Sequence, residues 1–81
     1  MTIEELKKEY EAKAEELRNK AMKESKRAEL YNGFRGLYEE GTTNYNNCVE
    51  IATEAFEKAR ELFEKASIYY MVILDLLKVT K

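Results

Sequence analysis

Eighty-one residues with 14 basic and 16 acidic side chains, one cysteine, no histidine and no proline describe one small domain with a restricted chemistry. Balanced charge argues against a protein whose main task is coating nucleic acid, and without histidine the usual general base near neutral pH is missing. A chain this short buries only about 60–65% of the surface it exposes when unfolded, so a lone monomer is expected to be marginal.

The first predicted helix begins at Thr2, whose hydroxyl can cap it, with Glu5 three residues on completing a capping box. Its apolar stripe reads Ile3, Leu6, Tyr10, Ala14, Leu17, Ala21, Ser25, Ala28. The repeat is nearer eleven residues than seven (Ile3, Ala14, Ser25; Leu6, Leu17, Ala28), a period that suits a nearly straight helix. Glu4–Lys8, Glu9–Lys13 and Glu16–Lys20 are spaced i,i+4 in the favourable order on the outer face. The stretch from Met1 to Tyr10 is charged and amphipathic, so no secretory leader is expected. The helix is predicted to hold to about Tyr31.

Residues 32–41 carry two conflicting signals. Asn32-Gly33 reads as a helix stop, yet Leu30, Phe34, Leu37 and Tyr38 keep helical spacing straight past it. The expectation is a helix kinked or locally broken near Gly33 that resumes over about 34–40, with a separate short third helix as the alternative. Gly41 then serves as a left-handed cap, and Thr42 or Thr43 caps the next helix.

The second helix, predicted over 43–80, carries the clearest pattern in the chain. In heptads, one column runs Tyr45, Ala52, Ala59, Ala66, Ile73, Thr80. The next runs Cys48, Ala55, Leu62, Tyr69, Leu76, and beside it lies Val49, Phe56, Phe63, Tyr70, Leu77. Apolar a, d and e positions sustained this long predict a helix packed along its length, and the small residues let a facing backbone come close. Cys48 lies on this seam, where it is expected to act as a small buried hydrophobe.

These elements predict an all-α fold: a long antiparallel helical hairpin with helices over about 2–31, resuming 34–40, and 43–80. With a turn near residues 41 and 42, residue i should face roughly residue 83−i, which sets Ala28 against Ala55, Ala21 against Leu62 and Leu17 against Ala66. Large residues mostly oppose small ones, as interdigitating layers require. Near its carboxyl end the second helix is apolar almost all round, and Ile68, Met71, Val72, Leu74 and Val79 exceed what one neighbouring helix can cover. Completion of a four-helix bundle, by dimerisation or by docking on a partner, is therefore expected.

Two candidate contact regions follow. One is the tip, where Tyr31, Phe34, Arg35, Leu37 and Tyr38 have the aromatic and arginine composition of interface hot spots. The other is the carboxyl-terminal stripe Ile68, Met71, Val72, Leu74, Val79. The basic run Arg18, Lys20, Lys23, Lys26, Arg27 is expected to face Glu57, Glu61 and Glu64 across the hairpin. No nucleotide-binding or metal-ligand spacing occurs, so no cofactor, metal or catalytic residue is expected, and no run approaches the roughly 20 apolar residues of a membrane span. The function expected is a non-enzymatic cytoplasmic interaction module: an adaptor, inhibitor or modulator of another protein, of the size of a small phage-type regulator. The rival readings are a homodimeric four-helix-bundle structural protein and a helical secretion chaperone shielding a partner's helix. Nucleic acid is the least favoured partner.

Overall fold

A computed structural model of the chain describes residues 2–79. Two long helices, α1 (Ile3–Phe34) and α2 (Thr43–Val79), fold back on each other, with one 3-10 turn, Arg35–Leu37, between them. No strand occurs among the described residues. The radius of gyration is 18.1 Å, against about 12 Å for a compact domain of this length, so the molecule is a rod, 59 Å long and 14 Å across in both directions. Two straight helices lying flat side by side would be only about 5 Å thick at their Cα atoms. The equal widths therefore mean that the pair twists.

The amino termini of both helices are capped by threonines. Thr2 caps α1, its Oγ1 accepting the Glu5 N–H at 3.1 Å. Thr42 caps α2: its Oγ1 accepts the Tyr45 N–H at 3.4 Å and donates to the Glu39 carbonyl at 2.7 Å. Its own carbonyl accepts the Asn46 N–H at 2.9 Å. One hydroxyl thus joins the turn to the first turn of α2.

Helix α1 does not break at Gly33 as predicted, nor does an α-helix resume over 34–40. It runs through Asn32-Gly33 to Phe34, tightens into the 3-10 turn, and ends where Tyr38 turns extended (φ −121°, ψ 154°). One ring contact, Tyr31 with Phe34, spans the weak dipeptide, and Arg27 lies over Tyr31 from the turn before it. The Arg27 guanidinium lies 5.9 Å from the Tyr31 ring centroid, and Tyr31 meets Phe34 edge to face at 5.6 Å. The left-handed residue is Gly41 (φ 86°), as predicted, although it belongs to the turn before Thr42 and does not directly end α1.

The two glycines should consequently respond in opposite ways. A Cβ at Gly33 meets nothing within 4 Å, so Gly33→Ala is expected to raise stability by about 0.5–1 kcal/mol in a urea melt. Gly41→Ala meets no clash either, but the positive φ should cost about 1–2 kcal/mol.

The seam between the helices is built from methyl groups. Nine described side chains are buried, and seven of them are alanines: Ala14, Ala21, Ala28, Ala52, Ala55, Ala59 and Ala66; Cys48 and Ile73 complete the set. In α1 the buried alanines recur every seven residues, flanked by half-buried Tyr10, Leu17, Glu24 and Tyr31 at the same interval. The eleven-residue reading of α1 is thus corrected: its seam follows the heptad of α2, as a pair that winds together must. The antiparallel register holds. Glu24 meets Lys58, one residue from its expected partner, and Tyr10 meets Tyr69, one helical turn away. Thr80, the last residue of the predicted seam column, lies outside the described residues.

Candidate functional site

Burial of an alanine methyl contributes on the order of 0.8 kcal/mol, against about 1.5–3 kcal/mol for a leucine or phenylalanine. The hairpin fills most of its interior with the former and leaves much of the latter exposed. Fourteen large apolar side chains are exposed among the described residues, eight of them on α2. Most of them fall into three regions.

The first is an open groove of about 630 Å³ between the helices near their free ends. Tyr10, Lys13 and Leu17 of α1 line it, with Lys65, Ile68, Tyr69 and Val72 of α2. Tyr10 and Tyr69 form its floor, ring centroids 5.7 Å apart and tilted by 38°. Lys13 is held over Tyr10 at 5.9 Å and pairs with Glu9 at 3.3 Å. Lys13 and Lys65 therefore rim an apolar trough with positive charge.

The groove accounts for part of the predicted carboxyl-terminal stripe and divides it. Ile68 is 61% exposed, Val72 is half-buried in the groove, and Met71 and Val79 are exposed on the same side or just beyond it. Leu74 does not belong with them. At about 100° per residue it stands about 120° from Ile68 around the helix, and it joins the face of Tyr70 and Leu77.

The second region is the tip. Tyr31 is half-buried while Phe34, Arg35, Leu37 and Tyr38 are exposed, Leu37 at 76%. Only Tyr31 and Phe34 touch through their rings. Arg35 and Leu37 begin and end the 3-10 turn, which throws both side chains outward.

The third region departs from the sequence expectation. The heptad pattern places the column Val49, Phe56, Phe63, Tyr70, Leu77 in the seam. Instead Phe56, Phe63, Tyr70 and Leu77 are all exposed, at 38–45%, and only Val49 is half-buried. Between them, on the same face, stand Thr53, Arg60, Ser67 and Leu74, all exposed. Together the nine residues alternate steps of four and three from 49 to 77, which is the spacing of a second coiled-coil seam. None of the nine is acidic, and Arg60 carries the one charge. The signal available in the sequence was that second set of positions, which has no reason to exclude acids on a solvated face.

Charge is arranged mostly along each helix. Glu9–Lys13 and Glu16–Lys20 pair within α1 at 3.3 and 3.2 Å, and Arg60–Glu64 within α2 at 3.9 Å. Such exposed pairs contribute little. The expected neutralisation of the basic run by Glu57, Glu61 and Glu64 does not form, because the heptad phase turns those carboxylates outward. The ion pair between helices among the described residues has the opposite sense: Glu24 of α1 with Lys58 of α2 at 3.6 Å.

Cys48 is buried on the seam. Among the described residues, no group of three or more Cys, Asp or Glu is placed to hold a metal ion, and no helix is long and apolar enough to cross a membrane. No family model, curated protein or solved structure matches the chain.

Proposed function

We propose that this chain is a non-enzymatic protein–protein interaction module, an adaptor, inhibitor or modulator that acts by laying its hairpin against another protein. The observation that carries this reading is the division of side chains by size: seven of the nine buried side chains are alanines, while fourteen large apolar side chains, all three phenylalanines among them, are exposed among the described residues. A monomeric domain gains most by burying its largest apolar groups. A helix with bulky groups on its outer faces is suited to contact with something beyond its own hairpin.

The groove of Tyr10, Leu17, Ile68, Tyr69 and Val72 is the leading contact, and its lysine rim favours an occupant with carboxylates beside its apolar residues. The tip is the second contact, with Phe34 as the anchor and Arg35 as the orienting charge.

Affinity capture from the native cell, read by mass spectrometry, tests the reading with three forms of the chain. Ile68→Glu with Val72→Glu is expected to reduce capture of a defined protein at least tenfold while far-UV circular dichroism stays unchanged. Phe34→Ala with Arg35→Ala applies the same test to the tip. If the wild type and both double variants retain the same proteins to the same extent, neither surface is a contact and the reading is wrong.

A further inference from the structure

We propose that the outer face of α2 from Val49 to Leu77 is the contact for a second copy of this chain, packed antiparallel about a two-fold axis near residue 65. The inference rests on the reading above, that the exposed apolar faces of α2 are contact surfaces, and assigns an occupant to the one the groove does not use.

The first argument is angular. Steps of four and three over 28 residues make a straight apolar line on a winding helix, about 42 Å long. Its midline stands about 100° around α2 from the alanine seam, far enough for a second helix to pack without meeting α1. Beside Leu77, α1 offers that flank only Glu4, Lys7, Lys8 and Glu11 around Ile3. The new contact therefore belongs to α2.

The second argument is self-complementarity. One column is bulky (Phe56, Phe63, Tyr70, Leu77) and the other mostly small or polar (Thr53, Arg60, Ser67, Leu74). In an antiparallel pair each column faces the other. Phe63 then lies opposite the partner's Ser67, Leu77 opposite the partner's Thr53, and Tyr70 under the guanidinium of the partner's Arg60. The two-fold axis repeats every one of these pairs. A parallel pair instead stacks Phe63 on the partner's Phe63 and Arg60 on the partner's Arg60.

Charge selects the same arrangement. The column bordering the face reads Glu50, Glu57, Glu64, Met71, Lys78. Parallel packing sets each glutamate beside its own copy. Antiparallel packing in this register sets Lys78 beside the partner's Glu57 and Glu50 and leaves one like pair, Glu64 beside the partner's Glu64 at the axis. Sliding the pair by one heptad toward the amino terminus adds Glu57 against the partner's Glu64, and sliding it the other way shortens the shared face, so the register with Phe63 opposite the partner's Ser67 is preferred.

The area is adequate. The exposed parts of Phe56, Phe63, Tyr70, Leu74 and Leu77 leave roughly 400 Å² of apolar surface per copy. That is about half of the ~800 Å² per partner in a standard interface, close to the usual apolar share.

Two measurements on the full chain decide it. Sedimentation equilibrium at tens of micromolar should give a dimer; Phe63→Glu should weaken it at least 100-fold, and Ile68→Glu should leave the mass unchanged. Because Phe63→Glu could unfold a dependent protomer, the second measurement keeps the face unaltered. A spin label on Glu50→Cys, in a Cys48→Ser background, should report about 45 Å between copies. A monomeric wild type at 100 μM, a separation below about 20 Å, or a dimer broken by Ile68→Glu and not by Phe63→Glu would each overturn the proposal. A monomer that still loses captured protein on Ile68→Glu with Val72→Glu sinks the self-pairing and leaves the proposed function standing. A dimer whose capture is indifferent to the groove does the reverse.

Discussion

Ala21→Leu is expected to be among the most damaging single substitutions in the chain. Ala21 has no exposed surface at all, and it sits mid-seam, at the level where Glu24 meets Lys58. The Cα envelope is 14 Å wide, which leaves at most about 9 Å between axes once the Cα radius of each helix is subtracted. Three extra carbons have no room there except by forcing the helices apart. Overpacking of this kind costs typically about 1–3 kcal/mol, and a core of this size rarely supplies more than about 3–5 kcal/mol in all. A urea melt followed by circular dichroism should therefore show most of the cooperative transition lost. Ala12→Leu, on the exposed side of the same helix, is the control and should move the midpoint little. Equal effects at both positions would mean that the seam is not closely packed.

The second large effect comes from removing volume. Ile73 is the one bulky aliphatic side chain in the buried set, at 7% exposure. Ile73→Ala is expected to cost about 2–4 kcal/mol, because the methylenes are lost and a cavity is left in the seam. Ile68, five residues earlier and 61% exposed, supplies the comparison. Ile68→Ala should change the stability of the isolated chain by less than about 1 kcal/mol. If the two truncations have equal effects, the heptad phase of α2 has been assigned wrongly.

The same phase explains what could and could not be read from the letters. The caps were legible, because Thr2 and Thr42 need only their immediate neighbours to show their role. So was the pairing of arms, since alanines at sevenfold spacing in α2 demand a close facing helix. The column Val49, Phe56, Phe63, Tyr70, Leu77 was harder. A periodic column fixes the angle between its members but not which side of the seam the opposing helix takes, and that choice belongs to α1. There the stripe mixed a true heptad (Ala14, Ala21, Ala28) with the outlying Leu6 and Ser25, and the mixture imitated an eleven-residue repeat. Asn32-Gly33 misled for a different reason. The dipeptide favours a turn only when its glycine adopts a positive φ, and here the ring contacts of Tyr31 keep the backbone helical. Of the proposed contacts, the tip and Ile68 were legible as excess apolar surface. That Leu74 parts company with Ile68 depends on where α1 lies, which no residue of α2 states.

Because the arms touch only at matching levels along a 59 Å rod, the molecule behaves like a zip fastener sewn shut at one end. The turn, with Gly41 and the doubly hydrogen-bonded Thr42 hydroxyl, joins the arms at one extremity; at the other they meet through side chains, Ile3 of α1 with Leu76 and Leu77 of α2. Amide exchange should accordingly quicken in a gradient from Cys48 toward the termini. The jaws that open most readily are those holding the Tyr10–Tyr69 trough, so whatever seats itself there also fastens the unsewn end.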